Sequence, residues 1–246
     1  MCPTAFAETS EIRPDGFELL YEVGPCVAVN KPAGLLTQAV PGIDSLEVRL
    51  KSFLKQRDQK TGNVYLGVPH RLDRCATGAM VFAKHVRAAR RLCDQFAART
   101  VRKVYWVAVD GLVEKLADTW VDHIRKIPDE ARAEIASETD AGAKLAVLHY
   151  RVLAEFEFGS LLEIELETGR THQVRVQAAA HGFTILGDHL YGSKTDFGPP
   201  SEDPRMRAIG LHARSLEFRH PMTREPVCVI AALPKHWPDV VREVME

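Results

Sequence analysis

The nine residues His70-Arg71-Leu72-Asp73-Arg74-Cys75-Ala76-Thr77-Gly78 form the most informative stretch of this chain. They place one carboxylate, Asp73, between two arginines, and neighbouring guanidinium groups favour the ionised form of a carboxyl group. Short apolar runs flank the stretch at residues 64–69 and 79–83, and we predict both as strands. A charged loop between two buried strands is a common position for functional groups. The alternative, a surface loop with an incidental ion pair, is the more frequent situation.

Composition limits the classes of protein to which the chain can belong. Of its 246 residues, 46% are hydrophobic and 26% are charged, which is ordinary for a soluble globular protein. This length is sufficient for one large domain or two small ones. The net charge of −1 provides no attraction of the whole molecule for nucleic acid. Binding of phosphate would therefore need a local basic patch.

Cysteine usage and the absence of long apolar runs indicate the compartment. The five cysteines are scattered and include no CxxC pair, so we predict neither a zinc site nor a disulfide framework. Reduced thiols fit a cytoplasmic protein. The first ten residues lack the features of a secretory signal, and no stretch approaches the ~20 apolar residues of a membrane span. We expect no metal, no cofactor and no membrane partner.

Strands outnumber helices along the chain, which predicts an α+β fold with a largely antiparallel sheet. Residues 1–16 form a polar lead-in that we expect to be loose, and we expect residues 17–246 to form a single domain. Residues 112–143 have no clear pattern except for a turn at 127–129. The predicted helices cover residues 45–55, 85–99 and 171–181, with a short one at the C-terminus. The remaining predicted strands cover residues 17–22, 26–30, 101–109, 144–153, 161–167, 211–219 and 227–233.

The helix predicted at residues 85–99 contains a basic patch. The window from residue 84 to residue 103 holds seven lysines or arginines and a single acid, Asp94. The apolar stripe of this helix includes Val86, Leu92 and Cys93, and the arginines lie off it. A solvated helix face accounts for such a run of charge equally well.

A second charged turn, Gly169–Arg175, follows an alternating strand. We predict Thr171 as a helix N-cap, and a spacing of four residues then puts Arg175 on the same helix face. The free N–H groups of a helix start attract anions. The alternative for Arg175 is an ion pair with Glu163 or Glu167. No nucleotide-binding P-loop, HExxH zinc pair or GxSxG elbow occurs in the sequence.

Together, several short motifs resemble those of the RluA family of RNA pseudouridine synthases, and they occur in the same order over about residues 17–235. A set of linked motifs is far more specific than any one of them. The motifs are Val-Asn-Lys-Pro-Ala-Gly at 29–34, His-Arg-Leu-Asp-Arg at 70–74, Lys-Val-Tyr at 103–105, Thr-Gly-Arg-Thr-His-Gln-Val-Arg-Val at 168–176, Ile-Leu-Gly-Asp at 185–188 with Tyr-Gly at 191–192, and Leu-His-Ala at 211–213 with His-Pro at 220–221.

The resemblance implies an α+β pseudouridine synthase catalytic domain. Its expected architecture is a long, mostly antiparallel mixed sheet with flanking helices and a central active-site cleft. The implied activity is the isomerisation of a specific uridine in structured RNA, ribosomal or transfer, to pseudouridine. We expect a cytoplasmic, monomeric enzyme without metal or cofactor.

The resemblance also implies roles for four side chains. Asp73 matches the nucleophile, which attacks either the ribose carbon that holds the base or carbon 6 of the uracil ring. Tyr105 matches the tyrosine that lies against the base and takes the proton from carbon 5. Arg175 matches the arginine that pairs with the catalytic aspartate. Arg71 matches the residue that fills the space vacated when the target uridine flips out of the RNA.

Further residues of the matching motifs and of the basic patch are expected to contact RNA. The expected substrate-binding residues, besides Arg71, are Lys31, His70, Arg74, Arg170, Thr171, His172 and Gln173. The expected contacts with the RNA backbone are Lys84, Arg87, Arg90, Arg91, Arg102 and Lys103.

Two positions depart from the family pattern, and separately two other functions stay open. The family usually continues after the aspartate motif with an acid and then Thr-Ser-Gly, whereas this chain has Cys75-Ala76-Thr77-Gly78. Gln177 occupies a position where histidine is common. One alternative is an RNA-binding module on the same fold that has no catalytic activity. Another is an Asp-dependent hydrolase such as an N-glycosidase, which would need a second, water-activating carboxylate near Asp73.

Overall fold

The computed structural model describes residues 13–157 and 159–245, so most of the lead-in predicted at 1–16 lies outside the described residues. The chain divides into two compact units. Unit 1 contains the described residues up to Val101 together with Ala213–Lys235, and unit 2 contains Arg102–His212 and the residues from His236 onward. A single domain over residues 17–246 stays a prediction.

The described residues form ten strands and four helices, with short 3-10 turns at His189–Tyr191 and Pro204–Met206. The strands are β1 (Glu18–Val23), β2 (Cys26–Lys31), β3 (Thr77–Ala83), β4 (Arg102–Asp110), β5 (Ala117–Lys126), β6 (Ala133–Ala136), β7 (Lys144–Phe156), β8 (Gly159–Leu166), β9 (Leu211–Arg219) and β10 (Pro226–Ile230). The helices are α1 (Leu46–Arg57), α2 (Val86–Ala97), α3 (Gln173–Ala180) and α4 (Asp239–Met245).

Unit 1 is built on the strand order β1-β2-β3-β9-β10. The pairs β1·β2, β2·β3 and β9·β10 are antiparallel. Helix α2 covers one face of these strands, where Ala88, Ala89 and Leu92 join a core that includes Val81 and Phe218. Leu92 follows Ala89 by three residues and Ala88 by four, which are the spacings that put side chains on the same face of a helix. Val86 and Cys93, predicted on the same apolar stripe, are instead exposed because they lie on the flanks of that face.

Unit 2 is built on the strand order β4-β8-β7-β5-β6, and all four of these pairs are antiparallel. Residues 112–143, which had no clear sequence pattern, contain the β5–β6 hairpin with its turn at the predicted place. Leu162, Ile164 and Leu166 of β8 are buried, in agreement with the alternation predicted for residues 161–167. The α+β fold with a mostly antiparallel sheet is therefore confirmed.

Helix α1 confirms its predicted N-cap, since Val48 N–H donates to Ser45 Oγ at 3.3 Å. Among residues 13–157 and 159–245, no helix combines the length and the apolar character that crossing a membrane requires.

The strand predicted at residues 64–69 is wrong. This segment makes a single antiparallel bridge, in which Gly67 exchanges two backbone hydrogen bonds with Ala83, at 2.8 and 3.0 Å. Pro69 has no N–H group and cannot continue such a ladder. The Asp73 loop therefore connects an irregular segment, rather than a strand, to β3.

Gly78, near the start of β3, lies against the backbone of β9. Its φ is +118°, and a Cβ atom built there would lie 2.3 Å from the carbonyl oxygen of Ala213. No L-residue side chain fits at this distance, so only glycine allows this approach of the two backbones. Gly24, in the turn between β1 and β2, also has a positive φ of +50°, but its Cβ direction is open.

We expect Gly78→Ala to lower the free energy of unfolding by about 3 kcal/mol or more, because it adds a steric conflict to the backbone strain. Gly24→Ala is the matched control and should cost about 1 kcal/mol through backbone strain alone. Urea unfolding of both variants measures the difference. Equal losses would contradict the steric interpretation.

Candidate active site

The Asp73 loop in unit 1 has one buried residue next to the carboxylate. Arg71 is exposed, Leu72 is buried with 6% of its surface exposed, and Asp73 and Arg74 are half-buried. The Leu72 side chain therefore anchors the loop in the core while its neighbours reach the surface. The exposure of Arg71 is compatible with the role expected from the family resemblance.

Lys31, the last residue of β2, holds the Asp73 loop through hydrogen bonds to its backbone. It is fully buried, and its Nζ donates to the carbonyl oxygens of Pro32 (2.8 Å), Arg74 (3.2 Å) and Ala76 (2.8 Å). An ammonium group has three N–H donors, and backbone carbonyls take all of them. The three donors of Lys31 are therefore used inside unit 1, and the expected contact of Lys31 with substrate stays a prediction.

Burial also changes the titration of Lys31. Loss of hydration lowers the pKa of its ammonium group to about 7, and electrostatic interaction with Cys75 and Asp73 offsets this effect only in part. Lys31 therefore carries a buried positive charge only below about pH 7.

The turn after β2 holds the same loop through two further hydrogen bonds. Gly34 N–H donates to the carbonyl oxygen of Arg74, and Arg74 Nε donates to the carbonyl oxygen of Gly34, both at 2.8 Å. Gly34 has a φ of +79°, which glycine adopts without strain. The Arg74 side chain, expected to bind substrate, thus uses one of its donors to fix the turn.

Thr37 contacts the other side of the loop, and sequence reasoning missed it. Leu72 N–H donates to Thr37 Oγ1 at 3.1 Å, and the hydroxyl group donates to the carbonyl oxygen of Leu72 at 2.9 Å. A threonine three residues after a glycine turn gives no sequence signal for such a contact. The contact between Thr37 and Leu72 depends on how two segments that are 35 residues apart in the sequence pack against each other.

His70 fixes the start of the loop. Its Nε2 accepts a hydrogen bond from Val81 N–H at 3.0 Å, and its ring stacks on Phe96 with 4.5 Å between the ring centroids. An accepting Nε2 places the proton of the neutral ring on Nδ1. One nitrogen and one ring face of His70 are therefore used within unit 1.

In unit 2, helix α3 carries Arg175 in a buried ion pair. Arg175 Nε and Nη2 donate to the two carboxylate oxygens of Asp188 at 2.7 and 2.8 Å, and both residues are almost fully buried. The Tyr191 ring lies 5.0 Å from the guanidinium carbon. This carboxylate is neither Glu163 nor Glu167, the two alternatives considered from sequence. The bidentate geometry fixes the plane of the guanidinium group.

Tyr191 connects this pair to the β5–β6 hairpin. Its hydroxyl group accepts from Ala133 N–H at 2.9 Å and lies 2.9 Å from His172 Nδ1. The helix N-cap is His172, whose φ of +53° is left-handed, so α3 begins at Gln173 and the predicted N-cap Thr171 is wrong. Thr171 is exposed.

Gln173 is a structural residue of the same turn. Its Oε1 accepts from Thr168 Oγ1 (2.7 Å) and from Arg170 N–H (3.0 Å), and its Nε2 donates to Val147 O (3.1 Å). Only 3% of its surface is exposed, and the expected substrate contact of Gln173 stays a prediction. Arg170, half-buried, donates from Nε to Leu145 O at 2.8 Å.

Tyr105 lies in β4, opposite Ile164 of β8. Only 8% of its surface is exposed. Its backbone is fixed by the β4–β8 ladder, so the ring has a rigid support.

The six residues expected to contact the RNA backbone differ in their exposure and in the contacts that their charged groups make within the protein. Arg87 and Arg90 are exposed on α2, and Arg91 Nη1 donates to Pro221 O at 2.8 Å. Lys84 is paired with Glu22, which also binds Arg57, so its charge is already compensated. In unit 2, Arg102 pairs with Glu165 at 2.9 Å, and Lys103 Nζ lies 3.3 Å from Thr168 O.

Within the part of the chain that the structure describes, no three His, Cys, Asp or Glu side chains are grouped so that they could hold a metal ion. A cavity of about 630 Å³ in unit 2 is lined by residues between Gly187 and Ala208, and neither Tyr105 nor Arg175 lines it. It is therefore not the candidate active site.

A sequence profile described as RNA pseudouridylate synthase matches residues 25–180. An uncharacterized RNA pseudouridine synthase of Synechocystis is 34% identical over 223 residues, covering 89% of this chain and 66% of that protein. A ribosomal large subunit pseudouridine synthase D of Xylella fastidiosa is 36% identical over 227 residues, with the same coverage. The uncharacterized RNA pseudouridine synthase YhcT of Bacillus subtilis is 32% identical, covering 96% of this chain and 76% of that protein. The chain thus spans just under two thirds of the length of the first two relatives.

Two human structures have a similar fold. Human RNA Pseudouridylate Synthase Domain Containing 4 superposes with a TM-score of 0.72 at 24% identity, covering 89% of both chains. Human RNA Pseudouridylate Synthase Domain Containing 1 gives a TM-score of 0.68 at 24% identity, covering 97% of this chain and 90% of that one.

We expect Lys31 to make stability depend on pH between about 7 and its ordinary pKa of 10.5. In this window the unfolded chain binds the proton and the folded chain does not, so the free energy of unfolding rises with pH. The slope from one such group is at most ~1.4 kcal/mol per pH unit. The measurement is urea unfolding of wild type and Lys31→Met across this range, taken as the difference between the two.

Lys55→Met, at an exposed position on α1, controls for the loss of one positive charge. A difference between wild type and Lys31→Met that stays constant from pH 7 to pH 10 would show that Lys31 does not titrate in this window.

Asp188→Asn should lower the free energy of unfolding by ~3 kcal/mol or more, because it leaves the buried Arg175 charge without its partner. Asp196→Asn is the control, since the Asp196 side chain is 86% exposed in its ion pair with His189. That variant should unfold at nearly the wild-type urea concentration. Similar losses in the free energy of unfolding of the two variants would show that the buried Arg175–Asp188 pair stabilises the fold no more than an exposed pair does.

Proposed function

Because the chain belongs to the RluA-type family of RNA pseudouridylate synthases, we propose that it isomerises a specific uridine in structured RNA, ribosomal or transfer, to pseudouridine. The observation that carries the proposal is the family match over residues 25–180, the segment that contains Asp73, Tyr105 and Arg175. The fixed backbone around Asp73 supports it, because covalent catalysis needs a nucleophile held in one geometry.

In the proposed reaction, the Asp73 carboxylate attacks the ribose carbon that holds the base or carbon 6 of the uracil ring. The bond between the sugar and the ring nitrogen breaks, the uracil rotates, and a new bond forms from the sugar to carbon 5. The proton of carbon 5 leaves, the ring nitrogen gains one, and the aspartate is released. The product is an isomer of the substrate, so the reaction consumes no water.

Tyr105 is the proposed acceptor of the carbon 5 proton. A phenol has an ordinary pKa near ~10, so the reaction needs surroundings that favour the transfer. The position of Tyr105 on a rigid strand supports this role, because a fixed group acts without reorganisation.

In the proposal, Arg175 keeps Asp73 ionised and directs its carboxylate group. Its fixed guanidinium plane supports this, because two of its nitrogens are already bound to Asp188 in one orientation.

For RNA binding, we propose that Arg71 enters the stack when the target uridine flips out, and that Arg87 and Arg90 meet the phosphate backbone. The exposure of all three side chains supports these assignments. We place the activity in the cytoplasm and in a monomer. Among the described residues, Cys26, Cys75, Cys93 and Cys228 form no disulfide, which fits a reducing compartment.

The test is release of tritium from RNA labelled at carbon 5 of uridine, since only loss of that proton frees the label. We expect release with wild-type protein and a loss of at least ~1,000-fold in Asp73→Asn, since the amide is a far weaker nucleophile. Binding of the same RNA by gel shift should be retained in Asp73→Asn.

Folded protein that binds RNA but releases no label from any cellular RNA fraction would identify a binding module without this activity. Free uracil among the products would identify a hydrolase. Full turnover by Asp73→Asn would overturn the assignment of the nucleophile.

A further inference from the structure

Thr37 is a buried polar residue that the reaction does not use directly. Only 4% of its surface is exposed, and its hydroxyl group bonds both polar groups of the Leu72 backbone. A hydroxyl group can accept one hydrogen bond while it donates another. Met80 Sδ lies 3.6 Å from the same oxygen, and sulfur is the weaker acceptor. The hydroxyl proton therefore belongs mainly to the Leu72 carbonyl.

Leu72 needs such a partner because it has no strand neighbour. Residues 68–73 have no regular secondary structure, and the Leu72 side chain is buried. Buried backbone N–H and C=O groups are costly to leave without hydrogen bonds. A single side chain here supplies both bonds that a neighbouring strand would otherwise provide.

Thr37 bonds the residue on the amino side of Asp73, through both polar groups of the Leu72 backbone. Lys31 and Gly34 bond the carbonyl oxygens on the carboxyl side, those of Arg74 and Ala76. Asp73 is therefore bracketed by two sets of backbone contacts. Loss of the Thr37 contacts removes both hydrogen bonds that hold the Leu72 backbone, immediately before Asp73.

We propose that Thr37 is a positioning residue, whose hydroxyl group fixes the peptide before Asp73 and so sets the direction of the Asp73 carboxylate. It acts through Leu72 and touches no reacting atom. The inference rests on the proposed function and deepens it, because it names a residue on which the rate of the same reaction depends.

Thr37→Val is the decisive variant, since it keeps the shape of the side chain and removes both hydrogen bonds. A small displacement of a reacting group lowers a rate by up to ~100-fold. We expect the kcat of tritium release to fall 10- to 100-fold, with the KM for RNA changed less than about 2-fold. Thr37→Ser keeps the hydroxyl group and should restore kcat to within about 3-fold of wild type. Thr119→Val, at an exposed threonine on β5, is the control and should keep the wild-type kcat.

Hydrogen exchange of the Leu72 amide gives a second readout that needs no RNA. Exchange should become faster in Thr37→Val and stay slow in Thr37→Ser, because the Leu72 amide donates to this hydroxyl group. An unchanged exchange rate in Thr37→Val would overturn the proposed contact.

Normal tritium release by both wild type and Thr37→Val would overturn the inference alone. Parallel losses of kcat, RNA affinity and folded protein in Thr37→Val, without rescue by Thr37→Ser, would reduce Thr37 to a structural residue and also overturn it. Wild-type protein that releases no label would mark the failure of the proposed function, and the inference would fall with it.

Discussion

The candidate nucleophile loop depends on the hydrogen bonds that the buried side chain of Lys31 makes to backbone carbonyl groups. A charge removed from water must be met by hydrogen-bond acceptors, and three backbone carbonyls converge on this one. Two of them belong to the Asp73 loop, so the end of β2 and the loop are held at a fixed separation. Further hydrogen bonds join Gly34 and Thr37 to the same loop. The short segment from Lys31 to Thr37 therefore holds the Asp73 loop in place.

Unit 2 uses the same physical solution at a different position. Arg175 is a second buried cation, and it is satisfied by a carboxylate rather than by carbonyls. Tyr191 packs under the guanidinium group and bonds the β5–β6 hairpin through its hydroxyl group. In both units a cation from one of the family motifs makes hydrogen bonds with groups inside the protein. Such groups set geometry, and exposed residues such as Arg71 and Arg87 remain for contact with a partner.

Sequence patterns predicted the parts of the fold that depend on local periodicity. The alternation of β8, the Ser45 cap and the α+β class are of this kind. The patterns failed where one backbone angle or one distant contact decides: the left-handed His172 moves the start of α3, and a single bridge replaces the strand predicted at 64–69. The motifs identified the important segments. They could not separate residues that face a substrate from those that bond the backbone, as with Lys31 and Gln173, because burial of a polar side chain leaves no local signature.

The contacts that hold the Asp73 loop end on main-chain atoms, namely the N–H and C=O of Leu72 and the carbonyl oxygens of Arg74 and Ala76. Main-chain atoms are the same whatever residue carries them. Cys75 can therefore replace the acid usual in the family, and Ala76 a hydroxyl residue, without loss of these anchors. Evolution can vary these two side chains, and through Cys75 the surface next to the candidate nucleophile, while the backbone path is inherited unchanged.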